Sequence, residues 1–145
     1  MVAWIANLVE LLASELTATL KEAAAALEKA LKTPEGRAAL LAQPDGVPRL
    51  MACLYTEHVE GEAERGDVVR SASRALAALS MDSSGRQGII AGAHTSSQHW
   101  LLAISRLLRC DHVDVDIDTA QCASLIVGNL VLDPKPQTLN PIPRP

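Results

Sequence analysis

The chain has 145 residues, a length that suits one domain burying roughly 68–70% of its unfolded surface. Apolar residues make up 48% of it but aromatics only 2%, with no Phe, so the core must come from Leu, Ala, Val and Ile, a composition that suits close-packed helices. A formal charge of −4 offers no clustered basic field, which argues against nucleic-acid binding.

Taken in chain order, apolar residues recur three and four apart, the mark of one helix face. They predict helices at 3–14, 16–32, 35–43, 46–56, 66–81, 84–93, 98–110 and 117–132. The first run, MVAWIANLVELLASE, is apolar but lacks a basic leader and carries Glu10 and Glu15, and no stretch reaches 18 uninterrupted apolar residues. Neither a signal peptide nor a membrane span is expected. Thr33-Pro34-Glu35 offers an N-cap followed by proline at the first helical position. Pro44-Asp45-Gly46 breaks the chain between two apolar runs. Asp82-Ser83-Ser84 offers cap candidates before Arg86. GAHTSSQ (92–98) reads as a polar linker.

The segments repeat. Shifted by 49 positions, LKEAAAALEKALKTPEGRAALLA (20–42) lies over VRSASRALAALSMDSSGRQGIIA (69–91) without a gap. Leu20 meets Val69, Leu27 meets Leu76, Gly36-Arg37 meets Gly85-Arg86, and Leu40-Leu41 meets Ile89-Ile90. WIANLVELLA (4–13) lies over WLLAISRLLR (100–109), with GVPRLMACL (46–54) at the same spacing. ASRALAALSMD (72–82) lies over ASLIVGNLVLD (123–133). Three ordered matches in consistent succession imply a repeated unit, sought before any motif is trusted. One such unit cannot bury its own apolar face and relies on its neighbours.

A helix such as ASRALAALS or ASLIVGNLV, then GR..II, then W...I..LL, resembles the armadillo repeat. The resemblance covers about residues 3–133 and implies an all-α, armadillo- or HEAT-like right-handed α-solenoid of about two full repeats with partial flanking ones. ASLIVGNLVLD is also similar to segments of armadillo proteins that stimulate dissociation of small GTPases. The resemblance implies a non-enzymatic protein-interaction module whose third-type helices line a groove. Its partner would be an acidic protein surface or a small GTPase. The contact residues it implies are Lys29, Arg70, Arg74, Gln121 and Asn129; Arg70 and Arg74, four apart, share a helix face. Asn129 alone occupies the place where armadillo proteins that hold extended peptides carry asparagine, with Ala78 and Lys29 at or near it in the other copies, so a continuous asparagine ladder is missing. The alternatives are a non-catalytic subunit of a larger assembly, or a fragment cut from a longer array.

No constellation with chemistry emerges. The four histidines are scattered, no H-E-x-x-H or C-x-x-C occurs, no G-x-S-x-G elbow appears, and no G-K-[ST] follows the glycines. An enzyme, a cofactor, a metal and a small-molecule substrate are not expected. Cys53, Cys110 and Cys122 read as small core residues of a reduced, intracellular protein, cytoplasmic or nuclear. The acidic DHVDVDID (111–118) invites a calcium loop. Counted from Asp114, however, Thr119 stands where glycine is needed and Leu125 where glutamate is needed. EHVEGE (57–62) precedes it by 54 residues, so both read as linkers between repeat helices, with Asp116 or Asp118 capping the next one. The domain is thus placed at 1–133, followed by a proline-rich extended tail at 134–145. PKPQTLNP can be encoded by a near-perfect CCCTAAA repeat, so the tail reads as translated repeat DNA.

Overall fold

Ala, Leu, Glu and Lys, strong helix formers, fill TATLKEAAAALEKA, and in the computed structural model this stretch is a single helix. The structure describes residues 4–14, 16–54, 62–95 and 117–132. Within them the helices are α1 (Trp4–Leu11), α2 (Thr17–Ala30), α3 (Pro34–Leu41), α4 (Gly46–Ala52), α5 (Glu62–Leu79), α6 (Ser83–Thr95) and α7 (Ile117–Leu132). Among the described residues there is no strand, so the fold seen there is all-α. The expected helix at 98–110, residues 57–61 and 111–116 of the acidic linkers at 57–62 and 111–118, and the tail lie outside the described residues; Glu62 instead begins α5, and Ile117 and Asp118 begin α7.

Six of the expected helices end within a few residues of their placement. α5 differs by starting at Glu62, four residues early. Glu64 and Asp67 fall in its first two turns, where carboxylates complement the positive end of the helix dipole. No proline interrupts them.

The core is a run of aliphatic side chains at helical spacing. α2 buries Leu20, Ala23, Ala24 and Leu27, with Leu31 following. α5 buries Val68, Val69, Ala72, Ala75, Leu76 and Leu79. Each fully buried Leu or Ile contributes on the order of 1.5–3 kcal/mol. Small residues on α2 and α5 let the two helices run close along each other, and α5 in turn packs along α7. α1 packs on α4, and α3 on α6. With the GR..II helices α3 and α6 called first-type, α1 and α4 second-type, and α2, α5 and α7 (the ASRALAALS kind) third-type, like helices meet like across units.

The 49-residue repeat recurs in atomic detail. Thr33 Oγ1 accepts the Gly36 amide at 3.0 Å, and Asp82 Oδ1 accepts the Gly85 amide at 2.8 Å. Arg37 Nη1 donates to the Leu31 carbonyl at 3.0 Å, and Arg86 Nη1 donates to the Ser80 carbonyl at the same distance. A β-carbon at Gly36 would run into the carbonyl of Ala30, and one at Gly85 into the carbonyl of Leu79. Every one of these pairs is 49 apart. The pattern continues into α7 at a spacing of 51, where Ala123 is as fully buried as Ala72 and Ala23. Ile5, Val9 and Leu12 of the first unit likewise match buried Val47, Met51 and Leu54, 42 residues on.

The corners follow from these residues. Thr33 and Asp82 cap the two first-type helices, as their positions predict, with Pro34 in the first turn of α3. Glycine stands third in each helix because the preceding helix's last carbonyl lies against its α-carbon. The arginine that follows satisfies a carbonyl that no intrahelical amide reaches. The corners are also tied to one another, since Arg37 Nε donates to Asp82 Oδ2 at 2.9 Å.

Candidate functional site

The ladder of third-type helices α2, α5 and α7 carries the residues expected to meet a partner. Arg70 lies in α5 and donates to Asp67 Oδ1 one turn earlier at 2.9 Å. Asp67 also takes Lys21 of α2 at 3.0 Å. Lys21 and Arg70 occupy the same repeat position, so one carboxylate is held by equivalent cations of successive units. Arg74 Nη1 stands 3.7 Å from Glu28 Oε2 of α2. Two expected contact residues, Arg70 and Arg74, thus sit in an ion-pair strip across the α2–α5 contact. Lys21, Glu28 and Asp67 complete it.

Charge in the strip is polarised as the pairing demands. The hydrogen bond from Lys21, aided by Arg70, holds the Asp67 carboxyl below the usual carboxylate range. Asp67 in turn raises the Lys21 ammonium above the usual lysine value. All of these groups are partly solvated, so water screens each pair. They set side-chain directions more than they set stability.

The other three expected residues are placed apart from the strip. Lys29 is exposed in the last turn of α2 and borders an open cleft of about 530 Å³ with Trp4, Ala26, Ala30, Thr33 and Gly36. Gln121 is exposed on α7. Asn129 is half-buried, and its amide donates to Ser80 Oγ at 2.9 Å and to Met81 Sδ at 3.7 Å. The one asparagine at the expected position therefore fastens α7 to the corner after α5.

A second cleft of about 460 Å³ lies between α3 and α6 over the Arg37–Asp82 pair, edged by Pro34, Leu41 and Ser84. Its charges are already paired across the corners. Cys53 is buried, and desolvation pushes its thiol up to about 12, far from a nucleophile's range. Among the described residues no group of three or more His, Cys, Asp and Glu comes together to hold a metal ion. No helix among them is long and apolar enough to cross a membrane.

The sequence reasoning missed Lys21, Glu28 and Asp67. The repeat offset carried a signal for the first, since Lys21 sits 49 before Arg70. Glu28 and Asp67 have no charged counterpart in the other copy. Compared with family models, with curated proteins and with solved structures, the chain finds no match in any of the three.

Proposed function

We propose that the chain is an armadillo-like helical-repeat segment that holds a protein partner and carries out no covalent chemistry. The observation that supports this most is the stacking of like helix on like helix, with the corner hydrogen bonds of α3 repeated in α6 49 residues on. Such stacking makes a rigid surface of regularly spaced side chains. The partner faces the third-type ladder, where Lys21, Arg70 and Arg74 lie against Asp67 and Glu28, and reaches Lys29, Gln121 and Asn129 elsewhere on the same helices. An acidic surface, such as that of a small GTPase, binds by exchanging its carboxylates for Asp67 and Glu28.

The test is direct binding of the full chain to Ras- and Rho-type GTPases in each nucleotide state. Charge reversal at Arg70 and Arg74 is expected to weaken capture by more than tenfold, about 1.4 kcal/mol. Unchanged binding in a folded double variant, or no binding by any GTPase, would refute this partner assignment. A second reading, a helical subunit built into a larger assembly, is favoured by Trp4, Leu16 and Val131, which stand 47%, 69% and 73% exposed.

A further inference from the structure

Among the described residues, α2 and α7 each leave one face of the ladder exposed, and the two faces correspond in register. Of the α5 residues equivalent to α2's Ala24, Glu28 and Leu31, Ser73 and Ser80 are fully enclosed and Ala77 is nearly so. The same positions on α7 are Ser124, Gly128 and Val131. There Ser124 is exposed, Val131 is 73% exposed, and a β-carbon on Gly128 would meet nothing within 4 Å. α7 therefore presents bare the kind of face that α5 presents to it.

The opposite face is bare on α2. α5 meets α2 through Asp67 and Arg74, and α7 meets the α5 corner through Asn129. The α2 residues at those repeat positions are Ala18, Ala25 and Lys29, all exposed. The chain thus carries a donor face and an acceptor face of one helix-on-helix step.

We propose that α7 of one copy receives α2 of a second copy, repeating the α2–α5 and α5–α7 steps between molecules. The chemistry of the two faces fits. The ion pairs Lys21–Asp67 and Glu28–Arg74 of the internal step become Gln121 beside Ala18 and Gly128 beside Ala25, so no charge is buried without a partner. Gly128 and Ala25 allow close approach. Lys29 takes the place of Asn129, which brings its ammonium to the carbonyl end of α7, a favourable site for a cation. The contact is heterologous and does not close on itself, so it generates open-ended chains. This inference shares Lys29 and Gln121 with the partner surface proposed above, but its test reads mass in the absence of any partner, so the two readings fail separately.

The test is sedimentation of the full chain from micromolar to sub-millimolar concentration. The average mass is expected to rise from 15.4 kDa past twice that value without a plateau. Ser124→Glu with Val131→Asp closes the α7 face, and Ala25→Glu with Lys29→Glu closes the α2 face. All four positions are exposed, and the melting curve of each variant verifies its fold. Each double variant alone is expected to stay monomeric, and an equimolar mixture to stop at twice the monomer mass. A wild type that stays monomeric throughout overturns the proposal. So does an α2-face variant that still self-associates, which would mean α7 meeting α7, or a mixture that stays monomeric.

Discussion

Replacing Gly85 by alanine tests the corner in the sharpest way, because propensity and geometry predict opposite signs. Gly85 is the third residue of α6 and is buried. In a helix, alanine exceeds glycine by about 1 kcal/mol, part of it through a less flexible unfolded chain. On that basis Gly85→Ala stabilises. The structure says otherwise, since the new methyl would collide with the Leu79 carbonyl oxygen and stand 2.7 Å from its carbon. The obstacle is backbone, so no rotamer change relieves it, and α6 must move away from the end of α5. Overpacking of this kind costs about 1–3 kcal/mol or more, and severe overlap puts it at the upper end. The net is then a loss of about 2 kcal/mol, or roughly 5–8 °C of melting temperature at this chain length. Gly128→Ala is the control, because its added methyl meets nothing and propensity acts alone, giving a gain of about 1 kcal/mol. Thermal and urea unfolding followed by helical circular dichroism, at dilution, reads both. If the two substitutions shift stability in the same direction, the close approach at the corner is wrong.

Four further expectations can be measured with the same material. Arg37→Ala should lose about 1.5–3 kcal/mol by leaving the Leu31 carbonyl and Asp82 without their charged donor, and a double-mutant cycle with Asp82→Asn should show coupling; simple additivity would refute the bridge. Ser73→Ala should stabilise by about 1 kcal/mol, because Ser73 Oγ is enclosed without a partner and the other copy already has Ala24 there; a loss in urea unfolding would mean the hydroxyl is bonded. Cys53, with its thiol raised to about 12, should resist a disulfide reagent until the chain unfolds, so native-state labelling at the global unfolding rate or slower is expected and faster labelling refutes its enclosure. Asp67 is depressed in the folded state, so its contribution is present above the ordinary carboxylate pKa and is lost as pH falls through the folded value; Asp67→Asn should flatten that part of the acid unfolding profile, and an unchanged profile would dismiss the pairing.

Much of this fold was legible because helices and corners are local. The three-and-four spacing of Leu20, Ala23, Ala24 and Leu27 needs only one helix face to be buried. Thr33-Pro34 marks a helix start whatever surrounds it. The 49-residue offset survived because each unit must offer its neighbour the same surface. What could not be read were contacts between residues far apart in the chain. Lys21 and Asp67 are 46 residues apart, and nothing local says that α2 lies along α5. The glycine of Gly-Arg was visible as a shared pair, but its reason, a carbonyl lying against it, needs the packed corner. Arg70 and Arg74 were chosen for their charge and shared face, and the structure brings them to Glu28 and Asp67 as well. Asn129 was chosen by resemblance, and its amide turns out to bond a neighbouring serine.

The corner contacts and the ion-pair strip of the proposed partner surface use different residues, and this separates the effects of mutation. On the corner side, Thr33 or Asp82 caps, a glycine admits the previous carbonyl, and Arg37 joins one corner to the next. These are short-range backbone constraints, so they fix the step between units. On the ladder side, the units meet through small residues and partly solvated ion pairs, whose partners can be exchanged at little cost. In the proposed binding mode a partner's carboxylates are exchanged for Asp67 or Glu28, which take no part in the corner hydrogen bonds. Changes at Arg37 or Gly85 should therefore lower melting while a folded fraction still binds. Charge reversal at Arg70 and Arg74 should alter binding with only a small change in melting. A partner whose affinity fell with Arg37→Ala in proportion to stability, and was indifferent to Arg70 and Arg74, would place recognition on the corner side instead.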